Sequence, residues 1–143
     1  MKYIRVSLLF LTLFVIGIGC AEQPKEKGIL YPNNDSELTL LMREMYNYYD
    51  SLKIDIQNGD VPNEIRQFAE IHTSVATEPS KSESPLFKAM ADVYLESERK
   101  LRATGGDKRK AFNFMIDNCM NCHQQMCPGP MVKIKKLYVK GEY

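Results

Sequence analysis

What the chain lacks narrows its class first. Among 143 residues there are only two histidines, His72 and His123. No acid, base and nucleophile are spaced for turnover, so no enzymatic activity is expected. No stretch reads as a convincing β-strand apart from an ambiguous C-terminal segment, and no internal repeat is evident. Neither sign of charge is in excess. If Lys2 and Arg5 are removed with a leader, 17 basic residues face 18 acidic ones, a balance that gives no case for nucleic-acid binding. The length fits one domain.

The leader is the first positive signal. Residues 1–19 run from a basic start through an apolar middle to Gly17-Ile18-Gly19, and Cys20 follows. That order is the pattern of a signal peptide. A cysteine directly after the small residues matches a bacterial lipoprotein box, although Gly17 stands where leucine is usual. Cleavage before Cys20 and acylation of Cys20 are expected. The alternative is an uncleaved anchor, for which the run is short against a span of about 20 residues. Either way the rest of the chain lies outside the cytoplasm, facing the periplasm of a bacterial cell envelope. Ala21 rather than Asp follows Cys20. Under the usual sorting pattern that points to the outer membrane more than the inner. Residues 20–34 are polar and rich in breakers, so they read as a flexible lipid-anchored linker.

The strongest chemical signal is Cys119-Met120-Asn121-Cys122-His123. C-x-x-C-H is the attachment sequence for c-type haem. Two thiols three residues apart on one helical turn can both add to the vinyl groups of one porphyrin edge. The adjoining imidazole can then bind iron as the proximal ligand. One covalent haem c per chain is implied. A zinc site recruiting Cys127 is the competing reading, but four ligands crowded on one helix surround a tetrahedral ion poorly. Cys127 is otherwise a free thiol, an intermolecular disulfide or a ligand, and the sequence does not choose among them.

Four amphipathic helices are predicted. The first is capped by Asp35 or Ser36, carries Leu38, Leu41, Met42, Met45, Tyr49, Leu52 and Ile56 on one stripe, and stops at Asn58-Gly59-Asp60. A second, shorter helix follows Pro62, with Ile65, Phe68, Ala69 and His72 on its apolar face. Residues 73–83 read as a loop. Ser84-Pro85 opens a third helix, with Leu86, Phe87, Met90, Val93, Tyr94 and Leu101 on its buried side and Gly105-Gly106 at its end. Asp107 caps a fourth, whose stripe is Phe112, Met115, Ile116, Cys119, Cys122, His123 and Met126. Pro128-Gly129-Pro130 stops it. Residues 131–143 are a basic tail of unassigned conformation. The expected fold is all-α, an antiparallel up-down-up-down four-helix bundle spanning residues 35–130. That topology gathers Met42, Met45, His72, Phe87 and Met90 around the haem motif.

Over residues 35–127 the chain resembles the class II cytochromes c, the cytochrome c-prime family. These are four-helix bundles with C-x-x-C-H near the end of the last helix. Leu41-Met42-Arg43 looks like the stretch of the first helix that faces the distal side of the haem in that family. The resemblance implies Met42 as sixth ligand, since in six-coordinate members a methionine there binds iron. Met45, one turn on, and Leu38 and Phe87 would pack on the ring. Two features depart from the family. Gln124-Gln125-Met126-Cys127 follows the histidine, where members usually carry an aromatic and a basic residue, so any propionate partner must come from elsewhere, such as Lys133, Lys135 or Lys136. The lipoprotein leader is the other departure.

Three readings follow. The first is an electron-transfer cytochrome with His123/Met42-ligated iron, held at a membrane by the Cys20 lipid and serving redox partner proteins of the envelope. The second leaves Met42 off the metal, so that five-coordinate iron under Leu38, Leu41 and Phe87 takes small gases such as nitric oxide or carbon monoxide. The third is a haem-free zinc or thiol lipoprotein. Bis-histidine ligation through His72 is a further option. Met90, Met115 and Met126 read as core, and Tyr46, Tyr48 and Tyr49 as an aromatic belt of which one can reach a propionate. A homodimer is left open.

Overall fold

The computed structural model describes residues 35–103 and 105–141. The leader, Cys20 and the linker therefore lie outside the described residues. Within them the structure is mainly helical with no strand.

Three long helices dominate, and local chemistry fixes their ends. Helix α1 spans Glu37–Asn58. The Ser36 side chain accepts the Thr39 N–H at 3.2 Å, satisfying one donor that the first turn leaves free. Gly59 closes α1 in the left-handed region at φ 82°, the conformation a residue without Cβ adopts at little cost. After a single turn, α2 (Pro79–Ser82), helix α3 spans Pro85–Arg102, with Ser84 accepting from the Phe87 N–H and Pro85 pre-set in the first turn. Helix α4 spans Lys108–Met126, and its cap Asp107 accepts from the Arg109 and Lys110 N–H groups. Cys127 ends it ahead of Pro128. Each of these caps matches the sequence expectation.

The core forms where the three stripes face one another. Leu41, Met45, Tyr49, Leu52 and Ile56 bury one side of α1, and Phe87, Ala91, Tyr94 and Leu101 one side of α3. Phe112, Met115 and Ile116 come from α4. Tyr49, Phe68 and Phe112 meet edge to face, Tyr49 lying 5.6 Å and 6.1 Å from the other two ring centres.

Several expectations need correction. No second α-helix follows Pro62. Residues 61–68 form an irregular strap that ends in a 3-10 turn, Ala69–His72. The strap buries Ile65, Phe68 and Ile71, a spacing of three, whereas Ala69 and His72 face outward. Two of its amides bond sideways instead of along a helix. The Arg66 N–H donates to the Tyr48 hydroxyl at 2.8 Å and the Phe68 N–H to Glu98 Oε1 at 3.2 Å. On α3 the buried face is turned relative to the one expected. Leu86 and Val93 are 46 % and 52 % exposed, while Ser97 and Glu98 are buried. The loop at 73–83 contains α2.

Residues 131–139 join the core. A turn of helix, α5 (Met131–Ile134), and a 3-10 turn, Lys135–Leu137, lead into a closing segment. Ile134, Leu137 and Val139 are buried. Asn113 on α4 pins the segment from both sides, accepting the Val139 N–H at 2.9 Å and donating to its carbonyl at 3.1 Å. The Tyr138 hydroxyl donates to Asp117 at 2.6 Å. Among the described residues no helix is long and apolar enough to cross a membrane.

Candidate functional site

A cleft of about 790 Å³ opens between α1, the loop before α3, the end of α4 and the α5 turn. Its volume falls within the range of sites that hold cofactor-sized ligands. Leu38, Met42 and Met45 line it from α1 and Phe87 from α3. Cys119, Cys122, His123 and Met126 line it from α4. All seven cofactor-contacting residues expected from sequence thus share one space.

Local folding explains why they meet there. The first-turn N–H of Leu38 donates to the Val75 carbonyl at 3.0 Å, and the Val75 N–H donates to Glu37 at 3.0 Å. These bonds hold the 74–82 loop over the start of α1. Pro128 and Pro130 stop α4 and reverse the chain, so Val132, Lys133 and Ile134 return along the cleft. A second, small cavity of about 30 Å³ adjoins the same cysteines, with Met90, Tyr94 and Asn118 in its wall. It has room for about one water molecule.

His123 is buried and oriented. Its Nδ1 lies 3.1 Å from the Cys127 carbonyl oxygen, and the Cys127 Sγ lies 3.3 Å from the same nitrogen. A carbonyl oxygen only accepts, so Nδ1 carries the proton and Nε2 keeps its lone pair. This is how an imidazole is prepared to bind a metal, with its second nitrogen fixed by a neighbour. Burial also lowers the His123 pKa below the ordinary histidine value, which favours the neutral ring.

The two motif thiols are free in this structure and differ from redox-active ones. Burial pushes Cys119 up to about 12 and Cys122 up to about 11. A reactive C-x-x-C pair has a depressed thiol pKa, because the thiolate is the working nucleophile. Cys127 is also raised, again by burial. Among the described residues no group of three or more His, Cys, Asp or Glu side chains is placed to hold a metal ion.

The lining is apolar with a cationic balance. Arg43, Lys81 and Lys133 line the cleft against one acid, Glu78. Arg43 is paired with Asp35 at 2.9 Å and Lys81 with Glu78 at 2.9 Å. Among the described residues Lys133 meets no carboxylate, and it lies 5.8 Å from the Tyr46 ring centre. Lys135 and Lys136 do not line the cleft. Of the tyrosine belt, Tyr46 and Tyr49 reach it and Tyr48 turns to the strap.

His72 does not belong to the site. It lines neither cavity, and its Nε2 sits 2.9 Å from Asp92 on the outer side of α3. The 3-10 geometry of the strap turned it away. Met115 is core as expected, while Met126 lines the cleft.

One feature near the cleft was not anticipated. Glu98 is fully buried, and its Oε1 accepts from Tyr49 at 2.8 Å, Tyr94 at 2.9 Å and the Phe68 amide. The signal was present, since Phe87, Ala91, Tyr94, Glu98 and Leu101 recur at helical spacing. Reading the stripe by hydrophobicity alone passed over the acid.

Comparisons with protein-family models, with curated proteins and with solved structures each return no match.

Proposed function

We propose that this chain is a c-type cytochrome of the bacterial cell envelope that transfers electrons. The observation that carries the reading is convergence: Cys119, Cys122 and His123 share one cleft with Met42, on the facing helix. The donor set fits the group. Two free thiols in the cleft would supply the thioether links, and an imidazole with Nδ1 engaged leaves Nε2 available to bind iron. Of the three lining cations, Arg43 and Lys81 already face Asp35 and Glu78, which leaves Lys133 as the cation placed to meet a propionate. Bound there, haem c would supply a one-electron iron couple. The protein's part is to hold the group, provide the ligands and exclude water. With Met42 and His123 as the residues that would hold the iron, the thioether would favour the reduced state and raise the potential.

The finer architecture belongs to the same reading. We infer an antiparallel arrangement of α1, α3 and α4, with the strap at 61–72 occupying the place of a second helix. That keeps the resemblance to class II cytochromes c at the haem motif and departs from it in the second element. Cys20 serves as the lipid anchor, holding the domain at the periplasm-facing surface of a membrane.

Expression of the full chain in a host competent for cytochrome maturation tests the reading. Haem stain should stay with the polypeptide after denaturing electrophoresis, and the reduced protein should show a low-spin spectrum unchanged by carbon monoxide. A colourless product would end it in favour of a haem-free lipoprotein. A spectrum that shifts with carbon monoxide would replace electron transfer by gas binding.

A further inference from the structure

The charge of this chain is segregated along the sequence. Residues 118–141 contain Lys133, Lys135, Lys136 and Lys140 and no Asp or Glu. Over residues 35–117, fifteen acids outnumber eleven bases. Within that acid-rich stretch many surface cations are neutralised locally. Arg43, Lys53, Arg66, Lys81, Arg99 and Lys110 each have a carboxylate partner. Among the described residues, none of the four lysines in 118–141 forms an ion pair, and all four are exposed.

The fold brings the acid-free segment to the mouth of the cleft. Val132 and Lys133 line the cleft, and Val132 is still 74 % exposed, so this residue marks the rim. Lys135 and Lys136 stand on the next turn, beside buried Leu137, which also lines the cleft. The rim thus presents an exposed apolar side chain with unpaired lysines next to it. Cations of one sign clustered at the mouth of a cleft provide the electrostatic complementarity that steers and registers a protein partner.

We infer that the Val132–Lys136 rim is the surface on which the redox partner docks, and that the partner is a protein presenting an acidic face around its own redox centre. The inference rests on the proposed electron-transfer role. Unpaired cations at the rim set up a positive local field that steers an anionic partner toward the cleft and speeds encounter. A second copy seated face to face would place like charges opposite one another. A lipid surface seated there would cover the rim through which electrons must pass.

The experiment uses the full haem-bearing chain, reduced by flavodoxin hydroquinone as an acidic one-electron donor protein, followed by stopped flow over a range of ionic strength. The second-order rate should fall steeply with added salt. In K135E/K136E, which leaves the cleft-lining Lys133 in place, the rate at low salt should drop at least tenfold and lose its salt dependence. K88E, on the outer side of α3, should leave the rate unchanged. A rate insensitive to salt, or equal in wild type and K135E/K136E, overturns the inference. So does a patch that proves to be occupied otherwise: dimerisation, or binding to phosphatidylglycerol vesicles, abolished by K135E/K136E while the flavodoxin rate is unaltered. A haem-free product fails the functional reading at the start, whereas a haem-bearing protein with unchanged rates fails this inference alone.

Discussion

The hydroxyl oxygens of Tyr49 and Tyr94 lie 2.6 Å apart, and both reach the same carboxylate oxygen of Glu98. Three polar side chains from α1 and α3 therefore close on one point inside an apolar core, and the strap is tied to that point through the Phe68 amide. A buried acceptor removed without its donors leaves them unsatisfied, at about 1–3 kcal/mol each. Glu98→Ala should lower stability by about 3 kcal/mol and release the strap, whereas Glu98→Gln keeps an acceptor and should cost about half as much. Urea unfolding followed by circular dichroism checks this. An unchanged midpoint for Glu98→Ala would mean that the cluster contributes nothing to holding the strap.

The same cluster sets a limit at alkaline pH. Burial is the main cause raising the pKa of both Tyr49 and Tyr94, with the Glu98 charge acting in the same direction. A phenol whose pKa is higher folded than unfolded contributes stability that is complete below the unfolded value, about 10. That contribution is lost as pH rises beyond it, because the unfolded chain releases protons the folded one retains. Stability should therefore decline above about pH 10. In a spectrophotometric titration Tyr49 and Tyr94 should ionise only as the chain unfolds. Substituting both by Phe should remove two tyrosines from that late class and leave Tyr138, which burial and Asp117 also raise. If all the tyrosines titrated in one reversible step, the proposed burial of the pair would be wrong.

His123 gives the opposite sign at the acid end. Its pKa is lowered by burial, so the folded apo-chain holds fewer protons there than the unfolded one. The stability from the neutral ring is present above the unfolded value of about 6.5 and is lost as pH falls through the folded value. Apo-protein should thus weaken below about pH 6.5, and His123→Gln should blunt that weakening. Cys127→Ser should not, because the Nδ1–H donates to the Cys127 backbone carbonyl, which that substitution keeps. Thermal melts across pH 4.5–8, roughly two units either side of the free-histidine value, separate the two variants.

Legibility in the sequence followed the range of the signal. Ser36, Gly59, Ser84-Pro85 and Asp107 mark their helix ends through bonds to residues a few positions away, so local chemistry sufficed. That the motif on α4 and Met42 on α1 share a cleft was legible because both lie on core-facing stripes. The strap was not. Ile65, Phe68, Ala69 and His72 satisfy a helical period, but Tyr48 and Glu98, distant in sequence, capture the amides a helix would need. His72 left the site for that reason. Ile134, Leu137 and Val139 escaped notice because their burial depends on Asn113 and Asp117 holding the returning chain, a contact no local pattern encodes.

The proposed sixth ligand can be assigned to one of two methionines on α1. Met42 and Met45 both line the cleft, but they differ in what else they do. Met45 is buried in the core, while Met42 is only partly buried and packs at its edge. A side chain committed to packing has less freedom to turn its sulfur toward a metal, and a flexible thioether at the edge has more. Met42→Ala should therefore change the haem-bearing protein from low-spin to carbon monoxide-binding with a stability loss of about 1 kcal/mol or less, since little packing is removed at a half-open position. Met45→Ala should cost about 2–4 kcal/mol and leave the spectrum low-spin. His72→Ala should alter neither property, because His72 faces Asp92 outside the cleft. Visible spectra of the three variants, reduced, with and without carbon monoxide, decide the matter. If Met45→Ala opened the iron and Met42→Ala did not, the ligand would lie one turn further along α1.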